Sequence, residues 1–176
     1  MAEVEIHAGH EHVADGFAQR VSVMVGVIGI VLAIVTIASH RAHTAAVIHR
    51  TEANDQWGFY QAKKLREHLM DVSGSILGVM SVRDSEKAQQ LAEQYRKERE
   101  RYLKDSKDIE AEANARQSES DREEKRALRL DLGEGLLELG LVLSSLYFLS
   151  RQRFFPLFGG AAALAGAVVA ASNWVV

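Results

Sequence analysis

Three stretches of this chain are apolar enough to cross a bilayer, and they restrict its fold more than any other feature. Val21–Ser39 carries no charge over 19 residues, and Phe154–Val176 carries none either. Leu136–Leu149 is apolar apart from Glu138 and follows a short acidic run, Leu130–Gly135. A spanning helix needs roughly 20 predominantly apolar residues, because every backbone polar group must be satisfied within the segment. Between the first and second stretches lies a long, highly polar insert. The expected fold class is therefore an all-α integral membrane protein. It has three transmembrane helices, with a long antiparallel, coiled-coil-like helical hairpin inserted between spans 1 and 2.

The expected boundaries follow from the composition shifts. Residues 1–19 form a polar His/acidic tail, 20–39 the first span, 40–129 the hairpin, 130–150 the second span and 154–176 the third. Residues 1–19 are acidic and the apolar run after them is long for a secretory signal, so the first span is expected to stay as an anchor. Pro156 is the only proline, and glycine is concentrated in the apolar segments, which favours long helices. Asp84 or Ser85 is a plausible N-cap, with Glu86 in the first turn, and marks a turn near 81–85. Trp174 reads as an interfacial ring.

The insert carries a heptad. Ala62, Leu65, Leu69, Val72, Ile76 and Val79 are spaced 3, 4, 3, 4, 3. On the second arm Ala88, Leu91, Tyr95, Tyr102 and Ile109 keep the same period more sparsely. Folding back at Val82 opposes Ile76 to Ala88, Leu69 to Tyr95, Ala62 to Tyr102 and Asp55 to Ile109. These residues are the expected hairpin seam, with arms of roughly 60–65 Å. The charges around it are evenly mixed and read as solvated faces or as surfaces covered by a partner.

Candidate chemistry is sparse. Asp131, Glu134 and Glu138 share one face of the second span, and Glu138 would lie about 10 Å inside the bilayer at 1.5 Å per residue. An intramembrane carboxylate is a functional-site candidate, here a possible ion pathway, and no Lys or Arg in the spans pairs with it. The bland alternative is an acid that bonds a hydroxyl such as Thr36. His7, His10 and His12 could bind a divalent metal only weakly, since no fixed-spacing motif is present. His40 and His43 suit headgroup anchoring. In the third span, Gly159, Ala163, Ala167 and Ala171 form one small-residue row, and Ala162, Gly166 and Ala170 a second. Gly159, Ala163, Gly166, Ala167 and Ala170 are thus expected at helix–helix or oligomer contacts.

Several classes are disfavoured. The net charge of −3 gives no basic surface for nucleic acid, and the absence of cysteine excludes disulfides and thiol chemistry. No P-loop, nucleotide fingerprint, HExxH or nucleophile elbow occurs, so no enzyme activity and no cofactor are expected.

His40-Arg41-Ala42-His43-Thr44-x-Ala46, Ala53-Asn54-Asp55-Gln56-Trp57 and Tyr60-Gln61-Ala62-Lys63 carry a resemblance. With two closing spans joined by an Arg-rich turn, they resemble a bacterial family of small membrane proteins catalogued only as a domain of unknown function. The resemblance implies a bacterial inner-membrane protein with three spans and supplies no catalytic residues. Arg41, Arg50, Arg122, Lys125, Arg126 and Arg129 outnumber Arg20, Arg151 and Arg153, which favours a cytoplasmic hairpin.

The expected function is a homo-oligomeric membrane scaffold or interaction protein, its hairpins bundled into a stalk or ring, with the lipid bilayer and an unidentified protein as partners. An oligomeric channel using Glu138 is the alternative. Metal handling through the N-terminal histidines is a third.

Overall fold

The computed structural model describes residues 16–80 and 84–174, except the side chain of Trp174. Among these residues the chain is helical, with no strand. The elements are α1 (Gly16–Val79), α2 (Ser85–Ser150) and α3 (Phe154–Ala171), closed by a 3-10 turn at Ser172–Trp174. All three helices are long and apolar enough to cross a membrane. Val21–Ser39 falls within α1 and Leu136–Leu149 within α2, while α3 covers Phe154–Ala171 of the third expected stretch. His7, His10, His12 and Val82 lie outside the described residues.

The helix ends follow local chemistry. The Asp84 carboxylate accepts from the Lys87 backbone N–H at 3.1 Å, which caps α2. That bond, with a contact from the Lys87 side chain, holds the Asp84 carboxyl below its usual range. Pro156 sits in the first turn of α3, where its missing N–H costs no helical bond. Between α2 and α3, Arg151 adopts φ 57°, the left-handed conformation that commonly stops a helix.

The helices divide into two compact units, residues 1–40 with 126–176 and residues 41–125. In the first unit α2 and α3 pack at very short range. A Cβ on Gly133 would fall 2.9 Å from the Gly166 carbonyl oxygen, and one on Gly140 would fall 2.7 Å from that of Gly159. Asn173 Nδ2 donates to the Arg126 carbonyl at 3.1 Å, in the same antiparallel register. The buried row of α3 is Pro156, Gly159, Ala163, Gly166 and Ala170. Four of the five expected contact residues therefore pack inside the chain. Ala167, the fifth, is only half-buried. This row is already covered by α2, and is not a free oligomer face.

In the second unit the contacts descend α2 as they ascend α1. Ser120 Oγ donates to the Ala46 carbonyl at 2.9 Å, and Arg116 lies 3.2 Å from Glu52. Lys63 bonds Asp105 at 2.6 Å, and Arg99 lies 3.2 Å from Asp71. Ala53 and Ala113 are both 0 % exposed, and Ser106 and Ser120 are also fully buried. The tightest packing is thus made by small residues seven apart, Ala46 with Ala53 and Ser106 with Ala113 and Ser120. Small side chains let two backbones approach until each is fully covered.

The expected seam differs from this on α1. Leu65 is 61 % exposed, Leu69 50 % and Ile76 49 %, while Asp55 and Ala62 are exposed too. The row facing α2 is instead Tyr60, Lys63, Glu67, Met70, Gly74 and Leu77, all half-buried. On α2 the expected residues Ala88, Leu91, Tyr95, Tyr102 and Ile109 are half-buried. The α1 half of the seam is therefore displaced by two residues, which puts it on nearly the opposite side of the helix. Lys63 also meets Asp105, four positions beyond the partner implied by a fold at Val82. The heptad of large residues draws attention to one face, whereas α2 packs on the opposite one, which mixes polar and apolar side chains.

Candidate functional site

Two places in the molecule carry polar or apolar groups that the packing alone does not explain. The first is the acidic face of α2 in the first unit. Ser39 Oγ donates to the Asp131 carboxylate, and Ser39 itself is buried. One turn further, Thr36 Oγ1 donates to Glu134 Oε1 at 2.7 Å. The expected trio thus divides. Asp131 and Glu134 are half-buried and held by hydroxyls of α1, so they tie the two helices together. Glu138 is exposed, and among the described residues it makes no hydrogen bond or ion pair. Thr36 serves Glu134, not Glu138. The nearby residues Leu132, Leu139 and Val142 are exposed and apolar.

An apolar cavity of 360 Å³ opens in the same unit, between Met24, Val27, Ile28 and Val31 of α1 and Gly160, Leu164 and Ala167 of α3. It contains no titratable side chain. No group of three His, Asp or Glu side chains able to hold a metal occurs among the described residues.

The second place is the α1 arm of the second unit. Its Ala53–Lys63 stretch divides between two faces. Trp57 and Tyr60 meet edge to face at 5.5 Å, and both are half-buried. Lys63 Nζ stands 5.3 Å from the Tyr102 ring centre while bonding Asp105, so one ammonium joins a π face and a carboxylate of α2. That bond holds the Asp105 carboxyl below the usual range. Asn54, Asp55, Phe59, Gln61 and Ala62 are exposed. Gly58 has open space around it. These residues continue into the exposed run Leu65, Leu69, Val72, Ile76 and Val79. By contrast, no large apolar residue of α2 within the second unit is exposed.

A family model described as a domain of unknown function, DUF4337, matches residues 17–176. The chain belongs to the DUF4337 family. No curated protein and no solved structure gives a match. In this DUF4337 chain Lys63, Asp105, Gly133, Gly140, Ala53 and Ala113 form the close contacts, and none of them is a large apolar residue. Their readable signal is spacing: Gly133 and Gly140 are seven apart, as are Gly159 and Gly166.

Proposed function

We propose that this DUF4337 protein is a multi-pass membrane scaffold. Its three apolar segments anchor it, and residues 41–125 form an extramembrane helical hairpin that other protein surfaces bind. The observation that carries this reading is the concentration of exposed large apolar residues on the α1 side of a unit whose remaining surface is charged. Contiguous exposed apolar surface on an otherwise polar domain marks an interaction site. The lack of a titratable group in the cavity, and of a nucleophile or phosphate-binding motif in the sequence, favours binding over catalysis. The Lys/Arg distribution and the family resemblance favour the bacterial inner membrane, with the hairpin in the cytoplasm.

The test is extraction. The protein should remain in the membrane pellet through alkaline carbonate washing and enter solution only with detergent. Release without detergent overturns the proposal.

One observation favours a second reading. Glu138 is an exposed carboxylate among exposed aliphatic residues. Several copies would bring several such acids together, and a ring of acids is a cation-selective device. On that reading Glu138→Gln abolishes ion flux into liposomes while assembly survives. On the scaffold reading the wild-type protein passes no ions, and Glu138→Gln changes neither assembly nor phenotype.

A further inference from the structure

We infer that the exposed heptad of α1, Ala62 to Val79, is the surface on which copies of this chain associate, as a parallel coiled coil. The inference rests on the scaffold reading and names its partner.

The face has the pattern that only another helix requires. Ala62, Leu65, Leu69, Val72, Ile76 and Val79 repeat at 3 and 4, so they hold one line along a helix only if it supercoils around a neighbour. Among the described residues this line has no such neighbour. The residues facing α2, Tyr60 to Leu77, lie two positions before those of the stripe and so on nearly the opposite side of the helix, and the stripe itself remains exposed, reaching 85 % at Val79. The helix therefore has two working faces, one for α2 and one without an occupant.

The positions flanking the stripe fit a second copy. In a parallel pair the residue before each first-core position meets the residue after the partner's second-core position, one heptad on. Gln61 would meet Arg66, His68 would meet Ser73 and Ser75 would meet Met80. No like charges are opposed, although the arm around them is rich in charge. Interface cores lose charge in this way. The same phase also limits the contact. One heptad earlier the core positions are Asp55 and Gly58, which would oppose two carboxylates and leave an unfilled gap, so the seam ends at Ala62. Copies inserted in a membrane with one topology share the chain direction along α1, which selects the parallel pairing. A lipid surface is a poorer occupant, because it requires one broad apolar face with basic residues around it. Here the line is narrow, and its flanking positions Gln61, Ser73 and Ser75 form no basic border.

The test uses the full-length protein in lipid vesicles at low protein density. The natural chain has no cysteine, so Leu69→Cys introduces a single thiol. It should oxidise to a cross-linked dimer about tenfold or more faster than Lys97→Cys, an exposed site on α2, because a coiled-coil neighbour raises the effective thiol concentration. Leu69→Glu with Ile76→Glu should weaken association by roughly 100-fold or more, since each copy loses two large apolar side chains from the seam. Helicity should be retained, because neither residue faces α2. If the wild type associates but the double substitution leaves assembly unchanged, or both thiols cross-link equally, the inference is wrong and the scaffold reading stands. A wild type that stays monomeric overturns the inference, and cross-linking of Leu69→Cys only to a different protein does so as well.

Discussion

Gly140 shows how little space the α2–α3 contact leaves. An added methyl would meet the Gly159 carbonyl oxygen at 2.7 Å, the Ala163 Cβ at 2.8 Å and the Ala163 backbone nitrogen at 2.9 Å. Backbone cannot rotate away as a side chain can. Gly140→Ala should therefore cost about 1–3 kcal/mol of helix-pair stability, read from thermal unfolding in detergent. Gly135→Ala is the control. Nothing lies within 4 Å of its added carbon, so helix propensity alone should make it neutral or stabilising. Asp105 supplies a prediction of another kind. Lys63 depresses its carboxyl pKa, so the folded state favours the charged form. Its contribution is whole above the unfolded value of about 3.9 and is lost as pH falls through the lower folded value. Melting temperature should drop over that acid window, and Asp105→Asn should remove that part of the drop. The pair is partly exposed, so salt should shrink the effect.

At the level of elements, the arms of the second unit are held by small residues at full burial. Ala53→Leu should thus destabilise the unit by about 1–3 kcal/mol, although it adds an apolar group, and circular-dichroism melts will measure it. Asp84→Ala should loosen the start of α2, seen as faster amide exchange over its first turn and no change beyond residue 100. Both effects bear on what was legible in the sequence. Long uninterrupted helices were, because proline is nearly absent and the apolar runs have helical length. The α2 half of the seam was more legible than the α1 half, since Leu91, Tyr95, Tyr102 and Ile109 are among the few large apolar residues of 85–125 and all are half-buried. On α1 the large residues form the more visible heptad, but packing distance is governed by alanine and serine, which barely register in hydropathy. The acidic face was half legible. Its position on α2 could be read from spacing, whereas the assignment of Thr36 to Glu134 depends on the register between α1 and α2, which no intrahelical spacing encodes.

For the molecule as a whole, the polar bonds and the exposed surface do different work. Ser39 with Asp131 and Thr36 with Glu134 tie the first unit internally, while the Ala62–Val79 stripe and Glu138 look outward. Thr36→Val removes one partner from a half-buried carboxylate. It should cost about 1–3 kcal/mol through the unsatisfied acceptor, whereas Glu138→Gln should leave unfolding unchanged. A detergent melt of both variants separates the structural acid from the one with no structural partner.

The matched glycines also bear on which parts can move. Gly133 opposes Gly166 and Gly140 opposes Gly159, like two pins in two sockets, and the short link at Arg151–Arg153 leaves no slack. Sliding α3 by a full heptad would seat one pin and leave the other against a bulkier side chain. A piston stroke of α3 along α2 is thereby blocked. Displacement within this unit is easier for α1, which meets α2 through exchangeable hydroxyl bonds and side-chain packing such as Phe17 on Tyr147.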